Sequence, residues 1–133
     1  MSTENLNLKI KDLMDFNTAY QEIQNEKMSI SLAYKLSRIS KEIQNCIEFY
    51  QNRYNDYLET YAEKEEDGTF KMTANQNGFM LKHDTISEAR ESFKELDNYE
   101  FPIAVEKIPL EGLEKFTISP SALTGLLPFI EDN

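Results

Sequence analysis

The sequence is poor in the residue types that most often build catalytic and metal sites. Its 133 residues include one cysteine, one histidine and no tryptophan, with only four glycines and four prolines. A single cysteine excludes an internal disulfide, and a single histidine excludes HExxH and histidine-rich metal sites. The glycines are isolated and form neither GxGxxG nor GxxxxGK[ST], which excludes a phosphate-binding loop.

Long apolar runs and an excess of basic residues are also missing. No apolar run approaches the ~20 residues that span a bilayer, and the N-terminus has neither the basic start nor the apolar core of a signal peptide. The net charge is −10, divided as −5 in residues 1–67 and −5 in residues 68–133. Duplex-binding proteins need a basic patch, and the only candidates are Lys35, Arg38 and Lys41. We therefore expect no nucleic-acid partner and no membrane partner.

The start of the chain predicts a strand and then a helix. Residues 5–10 alternate polar and apolar side chains, which would place Leu6, Leu8 and Ile10 on one face of a strand. The apolar period then lengthens to three or four residues, as in an amphipathic helix. We predict the first helix over residues 11–25.

The longest helical pattern of the chain follows. Apolar residues recur every three or four positions, and no glycine or proline interrupts residues 28–67. Ser29 or Ser31 can cap the first turn, and an Asp-Gly pair ending at Gly68 can stop the helix. We predict the second helix over residues 30–65. Its apolar stripe consists of Leu32, Leu36, Ile39, Ile43, Cys46, Tyr50, Tyr54, Tyr57 and Tyr61.

This second helix is long for the size of the chain. At 1.5 Å per residue it would measure ~50 Å, whereas a compact chain of this length has a radius of gyration of ~14 Å. The first helix is too short to pair with even half of it. Either the C-terminal half of the chain or another chain must cover the remainder.

The second half of the chain predicts a hairpin and a third helix. Residues 69–73 and 79–82 are the two arms of the hairpin, and Asn77 with the following glycine favours the positive φ of its turn. A Thr-x-x-Glu capping box over residues 85–88 precedes an amphipathic pattern. We predict the third helix over residues 86–97.

The C-terminal region contains all four prolines and predicts short elements. Residues 101–108 form a strand, at a sheet edge because Pro102 cannot donate a ladder hydrogen bond. Residues 115–118 are predicted as another short strand. Ser119 is a helix cap followed by proline at the first helical position, and the brief terminal helix ends at Pro128.

These elements predict an α+β fold. It consists of a long helical hairpin with a projecting second helix, a small antiparallel sheet and one or two short helices. We expect a single domain over residues 1–133, with a helical hairpin part at 1–67 and an α+β part at 68–133.

The candidate catalytic residues have simpler explanations. His83 lies beside Asp84 at a strand–helix junction, where the sequence nominates no nucleophile for it to activate. Cys46 lies on the apolar stripe of the second helix, where cysteine is usually a small hydrophobe, and no activating base is evident. We expect a solvated His83 and a structural Cys46.

The carboxylates are numerous but lack the order of a metal site. Acidic residues crowd the predicted end of the second helix, where the helix dipole prefers cations, and they do not follow the DxDxDG order of a calcium loop. We expect a solvated turn there, no metal and no cofactor. The acidic groups are Asp12 with Asp15, Glu91 with Glu95, and Glu63, Glu65, Glu66 and Asp67.

Tyrosine is the residue type that most suggests a function. Leucine and isoleucine dominate the first half of the helical stripe, whereas Tyr50, Tyr54, Tyr57 and Tyr61 form its second half. Tyrosine combines a large contact area with a hydroxyl that tolerates water, so it is common on surfaces that a partner buries. These four residues are the candidate partner-binding site. The alternative is packing within the chain against the third helix and the hairpin.

Three segments carry a resemblance to a known group of proteins. They are residues 32–41 (LAYKLSRISK), 61–69 (YAEKEEDGT) and 118–127 (ISPSALTGLL). Their order resembles that of small proteins of tailed bacteriophages grouped as a domain of unknown function. The resemblance implies a phage source and a non-enzymatic role, in the virion or in host takeover, and it supplies no catalytic residues. The expected location is the virion or the host cytoplasm.

Three functional hypotheses follow from the sequence. The favoured one is a non-enzymatic phage structural or accessory virion protein that binds a protein partner or itself, as a homo-oligomer or as part of a larger assembly. The alternative is an acidic inhibitor or adaptor that binds a basic, nucleic-acid-binding surface of a host protein. The third is a hydrolase or nuclease that holds Mg²⁺ with clustered carboxylates.

Overall fold

The structure is a computed structural model that describes residues 3–74 and 78–131. Its contacts divide the chain into two units, a terminal unit (Met1–Glu48 with Tyr99–Asn133) and a central unit (Phe49–Asn98). The elements in chain order are β1 (Thr3–Leu8), α1 (Ile10–Ile23), α2 (Ile30–Tyr61), α3 (Ile86–Asn98), β2 (Phe101–Glu106), β3 (Ile108–Pro109), α4 (Leu110–Leu113), α5 (Pro120–Leu126) and β4 (Ile130–Glu131), with 3₁₀ turns at His83–Thr85 and Leu127–Phe129.

The terminal unit contains an antiparallel pair of strands, β1 and β2. Leu6 lies opposite Ile103, and Leu8 lies opposite Phe101. Alternate residues of β2 are buried, as the two-residue period of a strand requires. Pro102 is accommodated because this sheet has two strands, so each of them is an edge. The second pair, β3 and β4, is parallel.

One stripe of each long helix supplies a large part of the core of the terminal unit. Every third or fourth residue of α1 and α2 in this unit is almost fully buried, which is the reason these segments are helical. Between the helices, the Gln44 side-chain amide donates to the Asn17 side-chain oxygen over 2.6 Å. The residues of these two stripes are Leu13, Phe16, Ala19, Ile23, Leu32, Leu36, Ile39 and Ile43.

Hydrogen bonds of Ser119 connect the start of α5 to α1. The Ser119 hydroxyl accepts a hydrogen bond from the Ala122 backbone N–H at 3.1 Å, as an N-cap residue does. The same hydroxyl donates to one oxygen of Glu22 at 2.8 Å, and the Ser119 backbone N–H donates to the other at 3.0 Å. These bonds to the carboxylate, led by the one from the backbone N–H, lower the pKa of Glu22.

Ser119→Ala is expected to lower the free energy of unfolding by about 1 kcal/mol at neutral pH, because a helix cap of this kind contributes about that much. The pKa of Glu22 is lower in the folded chain, so its contribution is present above the unfolded pKa and is lost as the pH falls through the acid range. Urea denaturation at pH 7 and in acid should therefore give a smaller difference between the two proteins in acid. Ser121→Ala, an exposed change in the same helix turn, is the control. An equal cost for both variants would contradict the assignment.

The long helix α2 begins as predicted and ends earlier. The Ser29 hydroxyl accepts from the Leu32 backbone N–H at 3.2 Å, so Ser29 is the residue that caps the first turn. The helix ends at Tyr61 rather than at 65. Ala62 and Lys64 instead form antiparallel bridges with Leu81 and Phe70.

Gly68 belongs to a turn after the helix and does not cap it. The Gly68 backbone N–H donates to the Glu65 carbonyl at 3.0 Å, and the Glu65 N–H donates to the Thr69 carbonyl at 2.7 Å. The φ of Gly68 is 92°, in the left-handed region that favours glycine. The prediction that Gly68 stops the second helix was therefore wrong, because the helix ends at Tyr61, seven residues earlier.

The central unit joins three short extended segments after the end of α2. The Glu63 N–H donates to the Met80 carbonyl, the Met80 N–H donates to the Lys71 carbonyl, and the Lys71 N–H donates to the Glu63 carbonyl, each at 2.8 Å. Met72 and Phe79 form the bridge of the predicted hairpin. The predicted turn residue Asn77 lies outside the described residues. Each of the three segments is thus hydrogen-bonded through its backbone to both of the others.

Most elements match their predictions, and the fold is α+β with a long second helix and a small antiparallel sheet. The predicted strand at 115–118 is wrong, since these residues are turn and irregular chain before α5. Ile10 starts α1 instead of extending the first strand. The contacts divide the chain inside α2, between Glu48 and Phe49, whereas the expected subdivision lay between residues 67 and 68. The single domain over residues 1–133 stays a prediction.

Candidate protein-binding surfaces

Four tyrosines form a continuous row of rings along α2 in the central unit, which we call the tyrosine ladder (Tyr50, Tyr54, Tyr57 and Tyr61). The centroids of Tyr50 and Tyr54 are 6.2 Å apart with nearly parallel planes, and those of Tyr54 and Tyr57 are 5.9 Å apart. Tyr57 and Tyr61 are 5.4 Å apart and tilted by 50°. The spacing of three and four residues places them on one face, since side chains at these separations are neighbours on a helix.

Helix α3 packs against one side of the tyrosine ladder. The Phe93 ring lies 5.7 Å from the Tyr57 ring and 6.3 Å from the Tyr54 ring, in tilted and edge-on arrangements that aromatic pairs prefer. The hydroxyls of Tyr61 and Ser92 are hydrogen-bonded at 3.2 Å. The part of the alternative that placed the third helix against these tyrosines is therefore confirmed.

These contacts nevertheless leave the tyrosine ladder partly exposed to solvent. All four tyrosines are half-buried, and Phe93 itself is 38% exposed. Burial raises the pKa of Tyr50, to which the charge of Asp97 adds, and burial likewise raises the pKa of Tyr57, to which the neighbouring tyrosines add. Each of these two phenols therefore keeps its proton more firmly than a free tyrosine and offers a neutral donor at its edge.

A second apolar surface lies in the terminal unit, around α4 and α5, and was missed by the sequence analysis. Leu110, Leu123 and Leu127 are 48%, 37% and 56% exposed and line an open groove of about 560 Å³ with Pro109 and Ile130. We call this the leucine groove. The other apolar residues of α5, Ala122 and Leu126, are buried.

The sequence did hold a signal for the leucine groove. Ala122 and Leu123 are adjacent, as are Leu126 and Leu127, and adjacent residues point about 100° apart on a helix. The four positions therefore spread over about 140° of the helix, which is wider than a narrow apolar stripe. The sequence predicted the terminal helix but not which of these residues it leaves exposed.

Three exposed glutamates border the leucine groove. Glu111 and Glu114 stand beside Leu110, and Glu131 follows Ile130 on β4. Within the described part of the chain, no lysine or arginine forms an ion pair with any of these three side chains. The groove therefore combines an apolar floor (Leu110, Leu123 and Leu127) with an acidic border (Glu111, Glu114 and Glu131) that has no described basic ion-pair partner.

The basic residues of α2 do not form a free cationic patch. The Arg38 guanidinium donates to the Tyr34 hydroxyl at 3.1 Å and lies over the Tyr34 ring. The bond to Tyr34 raises the pKa of Arg38, and the nearby charges of Glu42 and Glu106 raise it further. These residues, with Lys35, border a hollow of about 240 Å³, so acidic side chains face Arg38 in the basic cluster that the sequence suggested.

Cys46 and His83 occupy positions without the surroundings of a catalytic pair. Cys46 is half-buried on α2, and its burial, aided by the charge of Glu42, raises the pKa of its thiol. A raised pKa lowers the thiolate fraction, which is the nucleophilic form. His83 is exposed at the start of the 3₁₀ turn before α3.

Three of the predicted acidic residues, Asp12, Asp15 and Asp67, have local structural roles. Asp12 accepts from the Lys9 backbone N–H at 3.1 Å at the start of α1, and Asp15 pairs with Lys11 at 3.1 Å. Asp67 accepts from the backbone N–H and hydroxyl of Thr69, and these bonds lower the pKa of Asp67. Across residues 3–74 and 78–131, His, Cys, Asp and Glu side chains form no group of three that could hold a metal ion.

The remaining findings concern membrane-spanning helices and similarity to known proteins. In the described residues no helix is both long enough and apolar enough to cross a membrane, since α2 has the length but carries many charges. Searched against protein-family models, curated proteins and solved structures, the chain matches none of them.

Proposed function

We propose that this protein is a non-enzymatic, phage structural or accessory virion protein that acts through protein–protein contacts of the tyrosine ladder. The observation that carries the proposal is the half-exposed row of four stacked tyrosines on α2, extended by the partly exposed Phe93 of α3. A continuous aromatic surface of this kind supplies large contact area at low cost in side-chain entropy.

The chemistry of the ladder supports a contact role. Its rings are held by one another and by α3, so little side-chain freedom would be lost when a partner covers them. Its hydroxyls offer hydrogen bonds at the edge of an apolar surface, as is common at interfaces. A homo-oligomer or a larger assembly built through α2 is the proposed form.

Tyr54→Ala is expected to weaken self-association about tenfold, which corresponds to about 1.4 kcal/mol. Tyr54 is the central choice because its ring contacts the rings of Tyr50, Tyr57 and Phe93. Sedimentation velocity over a range of concentrations measures the change. The wild-type chain should sediment as an oligomer that dissociates on dilution.

Phe49→Ala is the matched control for this experiment. Phe49 is an aromatic residue of the same helix, 52% exposed, and lies outside the ladder. It should leave association unchanged within twofold, and far-ultraviolet circular dichroism should confirm that both variants fold. A strictly monomeric wild-type chain, together with partner binding that survives Tyr54→Ala combined with Tyr61→Ala, would refute the contact role of the ladder.

The phage assignment has its own test. It is supported by the resemblance of residues 32–41, 61–69 and 118–127 to tailed-phage proteins. Mass spectrometry of purified particles of the encoding phage should detect this chain at a constant ratio to the other virion proteins. Its absence from particles, with expression early in infection, would instead favour a role in host takeover.

An acidic inhibitor or adaptor is the second candidate function. The net charge of −10 favours a basic partner surface. Such binding should weaken steeply as salt is added, because exposed charges are screened beyond ~8 Å at physiological ionic strength. Contacts of the tyrosine ladder should be nearly insensitive to salt, so a salt series separates the two candidates.

A further inference from the structure

The leucine groove of the terminal unit has the composition of a binding site for a particular class of ligand. We propose that it binds a segment of a partner protein that carries apolar side chains flanked by lysine or arginine. Its residues all lie outside the central unit, so this inference does not rest on the tyrosine ladder.

The apolar floor determines the first property of the ligand. Leu110, Leu123 and Leu127 together expose apolar surface around a groove of about 560 Å³, a size within the ~300–1,000 Å³ typical of binding sites. Their exposure of 37–56% shows that the groove is open on one side. A small molecule is usually enclosed over most of its surface, whereas a chain segment laid across an open groove needs only one buried face.

The acidic border determines the second property. Glu111, Glu114 and Glu131 surround the floor, and no described lysine or arginine pairs with them. Covering the floor with an uncharged or acidic ligand would desolvate or repel these carboxylates at a cost. Lysine or arginine beside the apolar anchors turns the same carboxylates into attractive partners.

The same charges argue against other occupants. Nucleic acid binds through phosphate contacts to basic residues, and anionic lipid surfaces likewise attract basic segments. A second copy of this chain brings a net charge of −10, which the acidic border would repel. A basic, apolar segment of a different protein is the occupant that both the floor and the border favour.

The experiment uses a fluorescent synthetic helical peptide of leucine and lysine, with leucines at i, i+3, i+4 and i+7, and measures its anisotropy with the full chain. Leu127→Asn should weaken binding at least tenfold, since it removes the most exposed of the three leucines. Ile30→Asn is the matched control, because Ile30 is 89% exposed and lies outside the groove. It should change binding by less than twofold.

The acidic border is tested by a second pair of variants. Glu111→Gln with Glu114→Gln should weaken binding about fivefold at low salt and flatten its salt dependence. Glu91→Gln with Glu95→Gln on α3 changes the net charge equally and should have no such effect, which separates the border from general attraction to an acidic protein. These surface variants should fold normally, as thermal melts will show.

Three outcomes would overturn the proposal. One is equal weakening by Leu127→Asn and Ile30→Asn, and another is equal weakening by the two glutamine pairs. The third is peptide binding that ignores Leu127→Asn while the same variant abolishes self-association in sedimentation, which would make a second copy the occupant. None of these outcomes depends on Tyr54, so the failure of this inference and of the proposed function can be told apart.

Discussion

Replacing Gly125 by alanine is expected to lower the free energy of unfolding by about 3 kcal/mol. Gly125 is buried where α5 meets α1. A Cβ at this position would overlap the carbonyl oxygen of Asp15, lie 2.9 Å from the carbonyl carbon and lie 3.1 Å from the Ala19 Cβ. The Asp15 atoms belong to the backbone of a helix, so α5 would have to move away from the core. Urea denaturation measures the loss.

Gly112→Ala is the control for this prediction. Gly112 lies in α4, and a Cβ there would meet Leu32 at 3.6 Å and Pro109 at 3.8 Å, which are ordinary contact distances. Alanine is also the better helix former of the two residues, so we expect a change within about 0.5 kcal/mol in either direction. Equal losses for both variants would show that the contact of α5 with α1 is looser than described.

The close approach at Gly125 illustrates what a sequence alone could not predict. Glycine inside a short helical pattern is compatible with a weak helix, a turn or a close contact, and only the position of Asp15 on another element decides between them. The three longer helices were predictable because each repeats its apolar period over several turns. The starts of α2 and α3 match the predicted ones, and the other bounds of these helices differ by one to four residues.

The errors occur where the pattern is short or is replaced by contacts from elsewhere. The strand predicted at 115–118 had four residues, which is too few for alternation to be distinctive. The last turn of the predicted second helix was lost because Ala62 and Lys64 bond to Leu81 and Phe70, which are distant in sequence. Such bridges satisfy the backbone as well as a helix does.

The candidate surfaces were predictable to different extents. The tyrosine ladder followed from residue type and spacing alone, because residues three and four apart on a helix are neighbours. Its contact with Phe93 required the placement of α3, which the sequence offered only as one alternative. The leucine groove needed the knowledge that α1 buries one face of α5, which leaves Leu123 and Leu127 on the other.

Gln51→Pro is expected to lower the free energy of unfolding by about 3 kcal/mol or more and to reduce the helical circular dichroism signal. Gln51 is exposed and lies in the interior of α2, between Tyr50 and Tyr54 of the tyrosine ladder. Proline there removes the backbone N–H that bonds to the Ile47 carbonyl, and its ring clashes with that same carbonyl. It also disfavours the helical conformation of Tyr50, the residue before it.

This substitution tests whether residues 30–61 form one uninterrupted helix, on which a contact role for α2 depends. Gln51→Ala keeps the backbone bond and should change the free energy of unfolding by less than about 0.5 kcal/mol. If Gln51→Pro costs no more than Gln51→Ala and the helical signal is kept, two separate helices meet near Gln51. The stacking of Tyr50 on Tyr54 would then not be fixed by the helix, and the ladder would lose the rigidity that favours it as a contact surface.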